Sequence, residues 1–317
     1  MFSAFSAIRS SNAAYAPARP PVAVFVGGTS GIGQAMAEAL GRYTQGRAHI
    51  VLVGRNQAAA ENILESLPRN STSKSEEYTH EFVYCDVSLM RNVHAVTRDL
   101  RTRYPKINFL ILSPGFLSMK GRDETEEGID KKLAANYYAR WRFISDLMPS
   151  LEKAAQEGED AKVMSVLAAG KGGQIDMQDL GLKKTYSVTN AGLATPTYND
   201  LMMEEFALRN PSISFIHAYP GFVRTPIMKS SDSALLRTLA TPTIGLLYPF
   251  TTGVEDCAEY MWHALFNSSA RGPGSVGIKN AYRTGSRGEN LERKRYYGDE
   301  TQRRKLWEHT WQAVQVD

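Results

Sequence analysis

The sequence contains little cysteine and no pattern of metal ligands. Its two cysteines, Cys85 and Cys257, are too few for a disulfide framework. A reducing, cytoplasmic compartment is therefore the expectation. The six histidines are scattered, and none has the spacing of metal ligands, so we predict no metal site.

Long apolar runs and an excess of one charge are also missing. The most apolar stretch, residues 235–250, is interrupted by an arginine and two prolines, so we predict no membrane span. The net charge is only +4, and the basic residues of segment 287–305 alternate with acidic ones. Such alternation is typical of a solvated surface rather than a nucleic-acid interface. We therefore expect a small-molecule substrate as the partner.

The first twenty residues contain no acidic residue and are rich in serine and alanine. This composition is compatible with a transit peptide that directs the chain to an organelle. The interpretation we favour is an N-terminal extension, residues 1–20, that packs on or trails from the following domain.

The most informative stretch is residues 22–37, where a β-branched and aromatic run stops at glycines and a helical pattern follows. Gly27, Gly31 and Gly33 allow a sharp turn and a close approach of the backbone to a pyrophosphate. The N-terminus of the helix offers free N–H groups and the positive end of its dipole. A second strand at 50–53 completes the pattern, which predicts a dinucleotide-binding turn.

Arg55 follows the second predicted strand, where a chain that prefers NAD has a carboxylate for the ribose 2′-hydroxyl. A guanidinium instead matches a 2′-phosphate. The predicted cofactor is therefore NADP(H), with Asn56 as a second contact.

Predicted strands alternate with predicted helices along the chain, which indicates an α/β fold. We expect a Rossmann-type, doubly wound parallel sheet in a single domain. Residues 21–227 would form the NADP(H)-binding core, and residues 228–317 would carry a substrate lid and C-terminal helices of the same domain. We place the lid at 229–250 and the helices at 254–266 and 299–314.

The glycine spacing from Gly27 to Gly33 is G-x-x-x-G-I-G, which resembles the cofactor loop of the short-chain dehydrogenase/reductase family. The resemblance covers about residues 21–227, is strong again at 220–225, and is closest to fungal and retinol-dehydrogenase-like members. It departs from the family at Val26, where threonine is usual, and at 113–115, where Ser-Pro-Gly replaces Asn-Ala-Gly. The family's aspartate beside the adenine falls on Asp86, and its nicotinamide amide contact falls on Thr225. The resemblance implies a cofactor site made of Gly27, Thr29, Ser30, Gly31, Ile32, Gly33, Arg55, Asn56, Asp86, Val87, Ser113, Gly115, Pro220, Gly221, Val223 and Thr225.

The family's catalytic groups are a serine after the fifth strand, a tyrosine, and a lysine one helical turn after the tyrosine. In one alignment Tyr186 is the tyrosine and Asn190 stands at the lysine position. In the other, Leu167, Gly192 and Pro196 stand at the three positions. The second alignment fits the distance to residue 220 better and predicts a helix that starts near 195–198. In both alignments the triad is incomplete.

Substituted residues would then supply the proton and the positive charge. We predict Tyr186 as the proton donor, Lys183 or Lys184 as the missing cation, and Asn136 as the family's asparagine that orders a relay water. Weaker candidates are Ser165, Tyr198 and Asp200.

Three functions are compatible with this pattern. The first is an NADP(H)-dependent oxidoreductase acting on a carbonyl, alcohol or imine of a small, apolar molecule of specialised metabolism. The second is a cofactor-retaining isomerase, dehydratase or cyclase on the same fold. The third is a non-catalytic NADP(H)-binding protein. Members of this fold are often homo-oligomers, but no residue here establishes one.

Overall fold

Seven parallel strands form the centre of the molecule. The computed structural model describes residues 4–69, 78–115, 117–228, 251–268, 274 and 276–315. The strands are β1 Val22–Val26, β2 His49–Gly54, β3 His80–Tyr84, β4 Phe109–Leu112, β5 Lys162–Val166, β6 Ser214–Ala218 and β7 Ala281–Thr284. They lie in one sheet in the order β3-β2-β1-β4-β5-β6-β7. The order reverses between β1 and β4, where a doubly wound sheet opens a crevice at the carboxyl ends of its strands. The predicted fold class is thus confirmed, although β7 was not predicted.

Helices cover both faces of the sheet. They are α1 Ala4–Ala13, α2 Gly31–Tyr43, α3 Gln57–Ser66, α4 Met90–Arg103, α5 Lys131–Leu133, α6 Ala139–Gln156, α7 Val188–Arg209, α8 Val254–Phe266 and α9 Glu300–Ala313. A π-helical turn, Ala134–Tyr138, joins α5 to α6, and a 3-10 turn covers Pro226–Met228. The predicted lid at 229–250 lies outside the described residues. Among the helices that are described, none combines the length and apolarity needed to cross a bilayer.

Alternate side chains of the strands enter two separate cores, because successive residues of a strand point to opposite faces. Val22, Val24 and Val26 pack in the core shared with α4, α6, α7 and α9. Ala23 and Phe25 pack in the core shared with α2, α3 and α8. Both faces of the sheet are therefore covered by helices, as parallel sheets require.

The N-terminal extension contains a helix that packs on the domain. Asn12, in α1, is fully buried, and its Nδ2 donates to the carbonyl oxygen and to Oε2 of Glu259, at 2.9 and 2.8 Å. The Tyr43 hydroxyl donates to the same carboxylate at 2.7 Å. The extension thus joins α2 and α8 through buried polar contacts, although the sequence did not reveal its helix.

The C-terminal helix α9 closes the other face. Asp299 caps its N-terminus and forms a capping box with Gln302. Leu306 is buried, and the Trp307 ring lies 5.0 Å from the ring of Trp141 in α6. The prediction of a closing helix is confirmed, although Trp311 at its end remains 53% exposed.

Helix α7 begins earlier than the second alignment predicted. Its N-cap is Ser187, whose hydroxyl accepts the Asn190 N–H at 2.9 Å, so the predicted start near 195–198 is wrong. Pro196 lies inside the helix and has no N–H for the carbonyl of Gly192. The helix tolerates this because Gly192 is exposed and its carbonyl can bond to water.

Candidate active site

The glycine turn leaves the N-terminus of α2 free to bind an anion. Ser30 is its N-cap residue, but the Ser30 side chain forms no capping hydrogen bond. The first turn also contains no acidic residue. The unpaired N–H groups and the positive end of the helix dipole therefore remain available for a phosphate.

Two of the glycines are required by their close neighbours. Gly27 has φ +83°, and a Cβ there would lie 2.7 Å from the Pro114 nitrogen, after β4. A Cβ on Gly33 would lie 2.5 Å from the carbonyl oxygen of Gly27. The turn is therefore pressed against the end of β4, at the crevice where the strand order reverses.

The predicted cofactor residues from separate segments come together around this turn. The Thr29 side chain lies over Gly54, which ends β2 and precedes Arg55, with Cγ2 3.0 Å from the Cβ position. Thr225 lies against Gly31, with Cγ2 3.2 Å from the Cβ position of that glycine. Four chain segments thus form one continuous rim at the carboxyl edge of the sheet.

Arg55 stands at this rim without a protein partner. Its side chain is exposed and has no hydrogen bond or ion pair with any of the residues that the structure describes. Asn56 is the N-cap of α3, where its Oδ1 accepts the Ala59 N–H at 3.0 Å. The guanidinium of Arg55 is therefore free for an anion, and the Nδ2 of Asn56 can still donate.

Asp86 and Ser113, two more of the residues predicted to contact the cofactor, form hydrogen bonds within the protein. Asp86 accepts the N–H and hydroxyl of Ser88 through Oδ1 alone, at 3.0 and 2.8 Å. The Ser113 hydroxyl donates to the Val26 carbonyl at 3.3 Å, and Val87 packs against the first core. One Asp86 oxygen therefore remains for an amine such as that of adenine.

The loop from Pro220 to Thr225 is held by backbone bonds to the segment before α8. Gly221 has φ +79°, which favours glycine at the sharp turn after β6. The Arg224 N–H donates to the Thr252 carbonyl at 3.0 Å, and the Thr252 N–H donates to the Phe222 carbonyl at 2.8 Å. Val223 and Ile32 pack against the second core, so this loop and the glycine turn share one support.

Asn136 lies on the π-helical turn at the same edge. Its carbonyl oxygen accepts Nδ2 of Asn199 at 2.9 Å. Its side-chain Oδ1 is buried and has no hydrogen-bond partner within the described part of the chain. A buried amide oxygen without a partner can accept an N–H from a bound molecule, such as a carboxamide N–H.

Tyr186 and the two candidate lysines lie on the turn before α7. Tyr186 precedes the N-cap, so it does not share a helix face with Asn190. Burial and the neighbouring Asp130 raise the pKa of the Tyr186 phenol to about 12. The lysine side chains are exposed, and the backbone N–H groups of Lys183 and Lys184 donate to Asp179. Within the described residues, no contact brings either lysine to Tyr186.

The second alignment places an empty position on α7. A Cβ on Gly192 would meet no atom within 4 Å. Gly192 is one turn before Pro196 and seven residues before Asn199, so all three share one helix face. The position that a catalytic tyrosine would occupy is therefore open, and the lysine position holds a buried proline.

A fully buried arginine lies beneath the site. Arg140 in α6 is 1% exposed, and burial lowers the pKa of its guanidinium to about 9. It therefore remains charged at neutral pH. Its acceptors are the carbonyl oxygens of Leu112 at 3.1 Å, Pro114 at 2.6 Å, Ala135 at 3.2 Å and Val166 at 3.0 Å, and Oγ of Ser165 at 2.6 Å. No carboxylate is among them.

Ser165 and Asn199 continue this network to the candidate site. The Ser165 hydroxyl donates to Oδ1 of Asn199 at 2.7 Å, and Asn199 donates onward to Asn136. Sequence reasoning gave Ser165 only as a weak candidate and missed Arg140 and Asn199. The available signal was an arginine on the apolar face of α6, four residues before the buried Ile144.

The remaining weak candidates have buried structural roles. Ala168 donates to Nε2 of His217 at 3.4 Å, and Nδ1 of His217 donates to Asp200 at 2.6 Å. Asp200 also pairs with Nε of Arg283 at 3.0 Å. The Tyr198 hydroxyl donates to the Leu180 carbonyl at 3.0 Å. These side chains tie α7 to the sheet and to the loop before it.

Comparisons with known proteins agree with this architecture. Residues 21–235 match the family described as short chain dehydrogenase. An oxidoreductase of Emericella nidulans is 36% identical over 272 residues, which cover 86% of this chain and 78% of that protein. Human polyprenol dehydrogenase is 24% identical over 219 residues, covering 67% of this chain and 64% of that protein.

A solved structure shares the fold at low identity. The alcohol dehydrogenase of Thermococcus sibiricus, in complex with 5-hydroxy-NADP, superposes with a TM-score of 0.57 at 17% identity. The match covers 84% of this chain and 96% of that chain.

Proposed function

The chain belongs to the short chain dehydrogenase family, and we propose that it is an NADP(H)-dependent oxidoreductase acting on a small, apolar molecule. The observation that carries the cofactor assignment is the exposed guanidinium of Arg55, which has no partner in the described part of the chain. It follows Gly54 directly and adjoins the glycine turn through Thr29. A 2′-phosphate bound beside a ribose at this position would meet a planar, charged donor.

The rim residues divide the dinucleotide between them. The N-terminus of α2 would hold the pyrophosphate, Arg55 and Asn56 the 2′-phosphate, and the open oxygen of Asp86 the adenine amine. Ser113, Gly115, Asn136 and the loop 220–225 would face the nicotinamide end. When bound, the dinucleotide supplies or accepts the hydride, and the chain's residues orient it and exclude water.

The source of the proton sets the substrate class. Tyr186 is our candidate donor for a carbonyl substrate, with Lys183 or Lys184 as the nearby cation. Its raised pKa makes the phenol a weaker acid, so it would give a proton to a carbonyl oxygen less readily than the tyrosine of the family, whose pKa a lysine lowers. Hydride transfer to an iminium needs no proton donor. We therefore infer that an activated C=N acceptor fits this site better than a simple ketone.

Exposed apolar side chains at the same edge support the proposal of an apolar substrate. Leu193 in α7 is 41% exposed and Phe222 is 71% exposed, although both are large and apolar. Their side chains would gain burial if an apolar ligand covered them. The name of the polyprenol dehydrogenase relative indicates an apolar alcohol as the substrate of that protein.

The test is a titration of the protein with NADPH and with NADH, followed by nicotinamide fluorescence, for wild type and Arg55→Asp. Loss of the charge-assisted bonds to a 2′-phosphate predicts roughly 10- to 100-fold weaker NADPH binding, with NADH binding retained or improved. Arg47→Asp makes the same charge change at the amino end of β2, where the side chain is exposed, and should leave both affinities unchanged. Failure of wild type to bind either nucleotide would refute the proposal.

The empty Gly192 position and the buried Pro196 favour one second candidate, a cofactor-retaining isomerase, dehydratase or cyclase. The two functions differ in where the hydride goes. Deuterium from labelled NADPH would appear in the product of an oxidoreductase. It would stay on the cofactor, or return to it, in a non-redox enzyme, and no turnover at all would leave a non-catalytic NADP(H)-binding protein.

A further inference from the structure

Arg140 is a buried cation with no carboxylate among its hydrogen-bond partners. Arg283, by comparison, is paired with Asp200 at 3.0 Å. The Arg140 guanidinium is surrounded by four carbonyl oxygens and one hydroxyl. These dipoles satisfy its N–H groups, but its unit charge is not neutralised by an opposite one.

The carbonyls that hold Arg140 belong to the residues just before the cofactor edge. Pro114 precedes Gly115, Ala135 precedes Asn136, and Val166 precedes Leu167, which the second alignment puts at the family's serine position. One residue step of about 3.8 Å added to a hydrogen bond of about 3 Å places the charge within roughly 7 Å of each backbone position. The charge therefore lies within that distance of Gly115 and Asn136, two of the residues proposed to face the nicotinamide.

We propose that Arg140 is a positioning residue that sets the preference of the site for the reduced cofactor. The inference rests on the proposed function and deepens it. The nicotinamide ring carries a positive charge when oxidised and none when reduced. A fixed cation beneath the ring opposes the oxidised form and leaves the reduced form unaffected.

The size of the effect follows from the distance and the surroundings. For two unit charges about 8 to 10 Å apart in a medium of effective dielectric constant near 20, the repulsion corresponds to a factor on the order of ten in affinity. Wild-type protein should thus bind NADPH more tightly than NADP⁺. The ratio of the NADP⁺ and NADPH dissociation constants should be about ten times larger in wild type than in a protein without this charge. Such a site stays loaded with NADPH and releases NADP⁺ readily, which favours reduction.

The experiment measures the dissociation constants of NADPH by fluorescence and of NADP⁺ by calorimetry, at one ionic strength. The proteins are wild type, Arg140→Gln, Arg140→Lys and the control Arg142→Gln. Arg142 lies two residues further along α6, where its charge is already paired with Asp146 at 2.9 Å. A purely structural role would weaken both forms equally, so the ratio of the two constants is the informative quantity.

We expect Arg140→Gln to reduce the preference for NADPH about tenfold, because it removes the charge. Arg140→Lys, measured at pH 6 together with wild type so that the buried ammonium stays protonated, keeps the charge but loses most of the bonds, so both affinities should fall while their ratio stays within about threefold of wild type. Arg142→Gln should leave the ratio unchanged. A folded Arg140→Gln protein with the wild-type ratio would overturn the inference.

Two further outcomes separate this inference from the proposed function. If wild type binds neither form, the proposed function fails and the inference fails with it. If Arg140→Gln does not fold, as circular dichroism and thermal unfolding would show, Arg140→Lys decides. A tenfold change of ratio in that charged variant would overturn the inference, and a retained ratio with weaker binding of both forms would support it.

Discussion

Glu204 makes the stability of the domain depend on pH in a direction opposite to most carboxylates. It lies in α7 and is only 2% exposed. The Tyr296 hydroxyl donates to Oε2 at 2.7 Å, and Nη1 of Arg303 lies 3.7 Å from the same oxygen. The other oxygen, Oε1, has no hydrogen-bond partner among the described residues. Burial, reinforced by Asp200, raises the pKa of Glu204 to about 7.

The sign and size of the effect follow from this raised pKa. A carboxyl that titrates near 7 when folded and near 4.5 when unfolded stabilises the fold in its neutral form. That contribution is fully present below about pH 4.5 and is lost as the pH rises through 7. At 1.36 kcal/mol per pH unit, the loss between pH 5 and pH 8 is at most about 2 to 3 kcal/mol.

Glu204→Gln removes this titration while keeping a side chain of similar shape. We expect the free energy of unfolding of the variant, relative to wild type, to rise by about 2 kcal/mol between pH 5 and pH 8, as measured by urea denaturation. The control is Glu300→Gln. Glu300 and Glu204 line one surface cavity, but the Glu300 side chain is 62% exposed, so its substitution should change stability by less than about 0.5 kcal/mol at both pH values. A variant whose stability relative to wild type did not depend on pH would refute the reasoning.

Two further predictions concern the cofactor turn and the N-terminal helix. Gly33→Ala should lower stability by about 1 to 3 kcal/mol and weaken NADPH binding, because its Cβ would overlap the Gly27 carbonyl. Thermal unfolding measures the stability and fluorescence titration measures the binding. The control Gly121→Ala, whose Cβ would meet no atom within 4 Å, should change neither quantity. Asn12→Ala should lower the free energy of unfolding by about 1 to 3 kcal/mol, because buried Glu259 would lose a hydrogen-bond donor. The control is Ser10→Ala, at an exposed position of the same helix. Equal unfolding midpoints in these two variants would show that the α1 contact contributes nothing.

Local patterns were enough to predict the sheet and to place the residues proposed for the cofactor at one edge of it. The glycine turn, the alternation of strands and helices, and the positions of Arg55 and Asp86 are properties of short segments. Once six strands are placed in parallel order, their carboxyl ends must meet at one edge. The structure brings these predicted segments together. The pattern within each segment was therefore enough to predict that they meet.

The features that sequence reasoning missed depend on contacts between distant segments. α1 is held in place by a buried contact with Glu259, nearly 250 residues away. The start of α7 was misplaced because Pro196 was given more weight than the N-cap Ser187. A proline inside a helix is disfavoured locally. In this 22-residue helix, packing on β6 and on α9 compensates for the one missing backbone hydrogen bond.

In the alignment that puts the family's lysine position at Pro196, the polar network offers a physical reason why proline can stand there. Arg140, Ser165 and Asn199 form a continuous chain of bonds that ends on the carbonyl of Asn136. A lysine at 196 would add a second cation to the helix that carries Asn199, and two unit charges about 8 Å apart repel by about 2 kcal/mol at an effective dielectric constant near 20. If Arg140 supplies the charge at this edge, the effect of the residue at position 196 depends on the presence of arginine at position 140. Restoring lysine in α7 alone should then destabilise the site rather than repair it.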